Sequence, residues 1–283
     1  MLWSPFKVEL DQGVRPNSLL VRRLESWNMK VRILVEIDRL CHALLKGLLD
    51  ALDGKLYGLY VYGAATFPET SATGDVDFHA ILTAELTEGE RLAILDLHRN
   101  LARDYPPLGA ELDGYYLLLE DARQTSPPAH QLRPEIRDNS WALHRAHILA
   151  GRCIVLYGPD PVTIYPPATW DELEQALWGE LDYVEEHLVD YPAFCILNLC
   201  RLMYSSETRD VVTSKAAAGA WAWDAFPQYR RLIDAARRSY AGQASQIDDQ
   251  FMLSGVNELF RFARQRIDQS LTCTQPSSKP GVE

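Results

Sequence analysis

The chain has 283 residues, 47% hydrophobic and 24% charged, enough apolar side chains for one large soluble domain or two ordinary ones. Its net charge of −11 argues against a nucleic-acid binder that tracks a phosphate backbone, which needs a basic surface. No apolar run approaches the ~20 residues that cross a bilayer, so no membrane span is expected.

The opening stretch, MLWSPFKVELDQGVRPNSLLVRRLESWN, lacks a basic start followed by an apolar block and so is not a secretory signal. It reads as a poorly structured extension over 1–28, with Met29 an alternative start. Residues 31–52 then place apolar side chains at 34, 37, 40, 41, 44, 45, 48 and 52, which is helical spacing. LYGLYVYG (56–63) predicts a buried strand and DVDFHAILT (75–83) a second. A helix follows over 88–104, ending before Pro106-Pro107, and ELDGYYLLLED (111–121) reads as a third strand. After a proline-rich loop comes a helix at 139–150, then a short strand, CIVLYG (153–158). Helix and strand alternate as in an α/β (α+β) domain, spanning 29–158.

Beyond the Pro-rich 159–168 the composition changes. Thr169-Trp170-Asp171-Glu172 has the form of a capping box, and the helix behind it stops before Pro192. Ala193–Ser206, Lys215–Phe226, Gln228–Ala241 and roughly 247–268 continue as helical patterns, with no strand candidate. An all-α bundle is therefore expected over 159–270 and a disordered tail over 271–283.

The chemistry concentrates in 62-YGAATFPETSATGDVDF-78. Strand side chains alternate faces, so Asp75 and Asp77 share one face about 7 Å apart, while Val76, Phe78 and Ala80 take the other. Two carboxylates so placed repel, and a divalent cation removes the conflict. Mg²⁺ favours one or two carboxylates together with substrate phosphates. A glycine at the end of the preceding strand, Gly63-Ala64, lets backbone approach a phosphate closely, and a helix N-terminus there favours the anion.

This arrangement resembles the nucleotidyltransferases of the DNA polymerase beta superfamily, whose pattern is Gly-Ser, a spacer, then Asp-x-Asp. A third family carboxylate comes from a later strand, and 113-DGYY-116 resembles its acid-Gly-x-Tyr pattern; Glu111, two residues away on the same face, competes with Asp113. LNLCRLMYSSETRDVVTSKAAAGAWA (197–222) is similar to the C-terminal helical domain of the streptomycin/spectinomycin adenylyltransferases. The resemblance implies a mixed sheet in the first domain and transfer of AMP from ATP to a hydroxyl. It assigns Asp75, Asp77 and Asp113 to Mg²⁺, Asp113 also to the general base, and Gly63, Ala64, Arg201 and Lys215 to the nucleotide. The last two reach phosphates across an interdomain cleft in that family.

Two positions depart from the pattern. Ala64 stands where the family has serine, with Thr66 and Ser71 as substitutes, and the family's drug-binding acids have no clean match near 189-VDYPAF-194. A catalytically silent nucleotide-binding protein, or an enzyme modifying protein or RNA, are the alternatives. Between Arg152 and Arg201 there are nine acids and no Lys or Arg, a field suited to a small cationic acceptor. Asp182, Glu186 and Asp190 are the candidates for holding it. His79 shares the face of Asp77 and reads as a satisfied histidine at the site's edge. His144 and His147 lie three apart on a helix, without an acid at metal-ligand spacing. The five cysteines, Cys41, Cys153, Cys195, Cys200 and Cys273, are scattered, without a CxxC pair, as in reduced thiols of a cytoplasmic protein.

Overall fold

The computed structural model describes residues 34–68, 75–136 and 138–272, so the expected extension, Ser71 and most of the expected tail lie outside it. The chain divides into two units between Thr169 and Trp170.

In the first unit, helix α1 (Val35–Ala51) buries Ile37, Leu40, Cys41, Leu44 and Leu48, the stripe that its periodicity predicts. Strands β1 (Leu56–Tyr62) and β2 (Val76–Leu82) pair antiparallel. Helix α2 (Glu88–Asp104) starts at a full capping box: Thr87 Oγ1 accepts from the Glu90 amide at 3.3 Å, and the Glu90 carboxylate accepts from the Thr87 amide at 2.7 Å. Strand β3 (Leu112–Leu118) runs parallel to β2 and ends in a single helical turn, α3 (Leu119–Ala122), so it is shorter than the run 111–121 suggests. Helix α4 (Trp141–Leu149) and strand β4 (Ile154–Tyr157) complete the sheet, whose order is β3-β2-β1-β4.

The two faces of this mixed sheet differ. Leu59, Val61, Val76, Phe78, Ala80, Leu82 and Tyr116 face the α1–α2 side in one apolar cluster. Tyr60, Tyr62, Ile81 and Leu117 join Trp141, Ile148, Ile164 and Tyr165 in a second cluster on the opposite face. The Pro-rich segment after Gly158 thus goes with the first unit rather than the second. Tyr60 donates to the Pro159 carbonyl at 2.8 Å, and the buried Arg145 guanidinium donates to the Pro166 carbonyl at 3.0 Å.

The second unit contains α5 (Trp170–His187), α6 (Pro192–Thr208), α7 (Lys215–Ala225), α8 (Arg230–Tyr240) and α9 (Gln246–Thr272). Pro192 occupies the first turn of α6, where its missing N–H costs nothing. This helix is buried nearly all round and packs on the other four, which makes it the axis of the bundle. Helix α9 carries on through Thr272, past residue 271 where the tail is expected. No described helix is long and apolar enough to cross a membrane.

Candidate active site

Alternation along β2 turns Asp77 and His79 toward the α4 face, with Asp75 immediately before the strand. The register then sets Asp77 beside Tyr62 of β1 and Asp113 of β3, and His79 beside Tyr115. The predicted carboxylates Asp75, Asp77 and Asp113 are all half-buried.

Glu111 and Asp113 both lie within electrostatic reach of Asp75. Glu111 lies one residue before β3, its carbonyl accepts from the Val76 amide at 3.0 Å, and its carboxyl shares a hydrogen bond with Asp75. Burial, followed by the charge of Asp75, raises the Glu111 pKa above the usual carboxylate value. Burial also raises Asp113; Arg133, with Nη2 4.0 Å from Oδ1, pulls the other way, and Asp75 adds to the rise. Carboxylates that crowd one another like this form a donor set suited to a hard divalent cation.

Gly63 has a task beside the one its position suggests. Its φ is +68°, and a Cβ built on it would stand 1.8 Å from Asp77 Oδ2, so the glycine makes room for the carboxylate. No α-helix begins here: Gly63–Thr66 is a single 3-10 turn, so the expected helix N-terminus is absent from this junction. Ala64 is exposed in that turn. Thr66 does not stand in for the missing serine, because it is buried and its hydroxyl donates to the Gly63 carbonyl at 2.8 Å. Arg152 holds the turn from the other side, its guanidinium 4.6 Å from the centroid of the Phe67 ring.

Behind the carboxylates lies a polar group that one-dimensional reading misses. His79 is 0% exposed, with Nδ1 3.1 Å from the Tyr165 hydroxyl; Nε2 has no hydrogen-bond partner. His79 is therefore a buried, half-satisfied residue rather than one at the site's edge. Burial, then His144 and His130, hold its imidazole neutral, well below the ordinary histidine range. His144 does have an acid: Asp138 Oδ2 lies 2.9 Å from its Nδ1, and the Tyr62 hydroxyl 3.2 Å. His147 instead packs edge-on against Phe67.

In the second unit, Arg201 of α6 pairs with Glu180 of α5 at 3.3 Å, and the Glu180 carboxylate also accepts from Asn198 at 3.1 Å. Lys215 opens α7 directly after its cap, Ser214, and sits 4.1 Å from the centroid of the Phe194 ring, donating to Tyr240 Oη at 3.1 Å. Asp182, Glu186 and Asp190 are exposed. Not all the acids of this stretch remain available as a field, since Glu185 pairs with Arg264 at 2.8 Å and Glu180 with Arg201. Cys41, Cys195 and Cys200 are buried and Cys153 half-buried, all four as free thiols pushed up to about 12 by burial, which leaves none poised as a nucleophile.

Residues 163–266 match the family model of the aminoglycoside adenylyltransferase C-terminal domain. The fold is similar to the crystal structure of spectinomycin adenyltransferase AAD(9) from Enterococcus faecialis, solved with ATP and spectinomycin, with a TM-score of 0.67 and 16% identity over 82% of this chain and 99% of that one. No curated protein sequence matches the chain significantly. The family model thus matches the C-terminal part of the chain, and the fold is similar to that of the spectinomycin enzyme, as the resemblance carried by the sequence motifs implies.

Proposed function

We propose that the chain moves AMP from ATP to a hydroxyl of a small cationic acceptor of the aminoglycoside class. The observation that carries this reading is Asp77 in register with Asp113 on one sheet face, with Asp75 just before the strand, beside a glycine that yields its side-chain space to Asp77. The spectinomycin enzyme's ATP and drug support the choice of substrates.

Asp75, Asp77 and Asp113 would hold Mg²⁺, which when bound offsets triphosphate charge. Asp113 would accept the acceptor's hydroxyl proton as the acceptor oxygen bonds to the α-phosphorus and the bond to pyrophosphate breaks. Arg201 and Lys215 would contribute cations to the phosphates, Arg201 exchanging Glu180 for the nucleotide. Labelled ATP offered to a panel of aminoglycosides and spectinomycin tests the proposal. Labelled acceptor with matching pyrophosphate release is expected; MgATP binding without pyrophosphate release, whatever the acceptor, would overturn it.

Lys215→Ala should cost about 2–4 kcal/mol of transition-state stabilisation, roughly 10²-fold in kcat/KM, as for other preorganised electrostatic contacts. Steady-state pyrophosphate release checks this, and normal turnover would remove Lys215 from the phosphate site. The exposed acids make a second prediction. Attraction of a polycation weakens as the Debye length falls from ~10 Å at 0.1 M salt to ~3 Å at 1 M. Acceptor affinity, measured by calorimetry at saturating nucleotide, should fall with salt. Combining Asp182→Asn, Glu186→Gln and Asp190→Asn should flatten that dependence. A triple variant with the parent's salt dependence would show these acids to be solvating charges only.

A further inference from the structure

We infer that the first unit carries a second metal site, for a transition-metal dication of the zinc class, formed by His79, Asp138 and His144 and separate from the carboxylates Asp75, Asp77 and Asp113. One ligand atom from each of the three residues lies within 4.8 Å of the other two. Two imidazole nitrogens and one carboxylate oxygen are a zinc-type donor set, whereas Mg²⁺ prefers oxygen alone.

The orphaned nitrogen is the strongest sign of a ligand. His79 is fully buried, its Nε2 has no protein partner, and it belongs to this cluster. A buried, unmade hydrogen bond costs about 1–3 kcal/mol, and a metal bond would remove that cost. The opposite side of the ring shows the support that ligating histidines commonly have: Tyr165 Oη lies 3.1 Å from Nδ1 and can accept its proton, which leaves the Nε2 lone pair toward the cluster. Asp138 is 3% exposed and is likewise braced, since Oδ1 accepts from the Ser140 amide at 2.9 Å, while Oδ2 receives no well-aligned hydrogen bond although His144 Nδ1 is 2.9 Å away.

Ligands on a tetrahedral zinc stand about 3.4 Å apart, given bonds of about 2.0–2.1 Å. The widest spacing, at most 4.8 Å, therefore has to contract when an ion binds. Tyr62 Oη, 3.2 Å from His144 Nδ1, is placed to offer a fourth oxygen. His144 is 21% exposed in its side chain and gives an ion its way in. A metal here would tie β2, two residues past Asp77, to the turn that leads into α4.

The test uses the full chain, stripped with chelator and titrated with CoCl₂ in the presence of excess MgCl₂. One Co²⁺ per chain is expected, with the intense visible absorption of a low-coordinate nitrogen-containing site, displaced by one Zn²⁺. His79→Gln and Asp138→Asn should each weaken binding at least about 100-fold, beyond the 10- to 100-fold that losing a ligand's supporting partner costs. Asp75→Asn should leave binding unchanged. Far-UV circular dichroism confirms that each variant is folded, and the less buried His144→Gln serves if His79→Gln is not. The inference is overturned if the parent binds no stoichiometric Co²⁺, shows only the weak absorption of an all-oxygen site, or loses binding with Asp75→Asn while retaining it in the folded Asp138→Asn variant.

Discussion

Asp77→Asn is expected to abolish transfer, by about 10³-fold or more, while leaving the protein folded. The asparagine keeps the size of the side chain, so the pocket that Gly63 leaves for it stays filled. Charge and metal-binding capacity are lost. Because Asp77 stands in register with Asp113, and Asp75 shares a hydrogen bond with Glu111, removing one negative charge relieves repulsion within the group. Thermal stability without metal should therefore stay level or rise, while Mg²⁺-dependent ATP binding weakens. Calorimetric titration of ATP with and without Mg²⁺, together with pyrophosphate release, reads both halves of this prediction. A folded variant with the parent's activity and Mg²⁺ dependence would sink the assignment of Asp77.

The second large effect belongs to a residue without a side chain. Gly63→Ala forces an L-residue into φ +68°, at a cost of about 1–2 kcal/mol. It also brings a methyl group to 1.8 Å from Asp77 Oδ2, and one of the two must move. Catalytic geometry tolerates little displacement, with about 10²-fold lost for roughly 1 Å, so transfer should fall on that order. Gly54→Ala separates strain from collision: its φ of +82° is equally left-handed, but nothing lies within 4 Å of the added carbon. Both variants should melt lower than the parent, and only Gly63→Ala should lose activity. Equal kcat values in the two would show that the Asp77 position does not depend on this glycine.

Much of the fold was legible because its signals are local. Pro106 marks the end of α2 without tertiary help, and strict alternation sorts 75–82 into a carboxylate face and a core face. The site was legible only where its residues lie close in the chain or match a motif, as Asp75, Asp77 and Asp113 do. His79, Asp138 and His144 come together through the register of β2 and a turn before α4, so no spacing announces them. The role of Gly63 was hidden for a related reason, since the group it accommodates belongs to another strand. Helical character was misread at Gly63–Thr66, where the chain forms one tight turn. Residues 159–168 are grouped by composition with the helical bundle, although Ile164 and Tyr165 complete the core of the first unit.

The alternation in β2 also determines which length changes the chain can survive. Val76 begins the ladder with Leu112, so a residue added or removed before Asp75 precedes that register instead of shifting it from within. The same change between Val76 and Leu82 does shift it. Every residue beyond it would exchange faces, sending carboxylate or imidazole into the apolar layer over α1 and α2 and phenylalanine toward Asp113. In natural variation of this protein, insertions should therefore accumulate in the connection and be purged from the strand. That asymmetry would arise from pleat geometry alone, before any selection for catalysis acts.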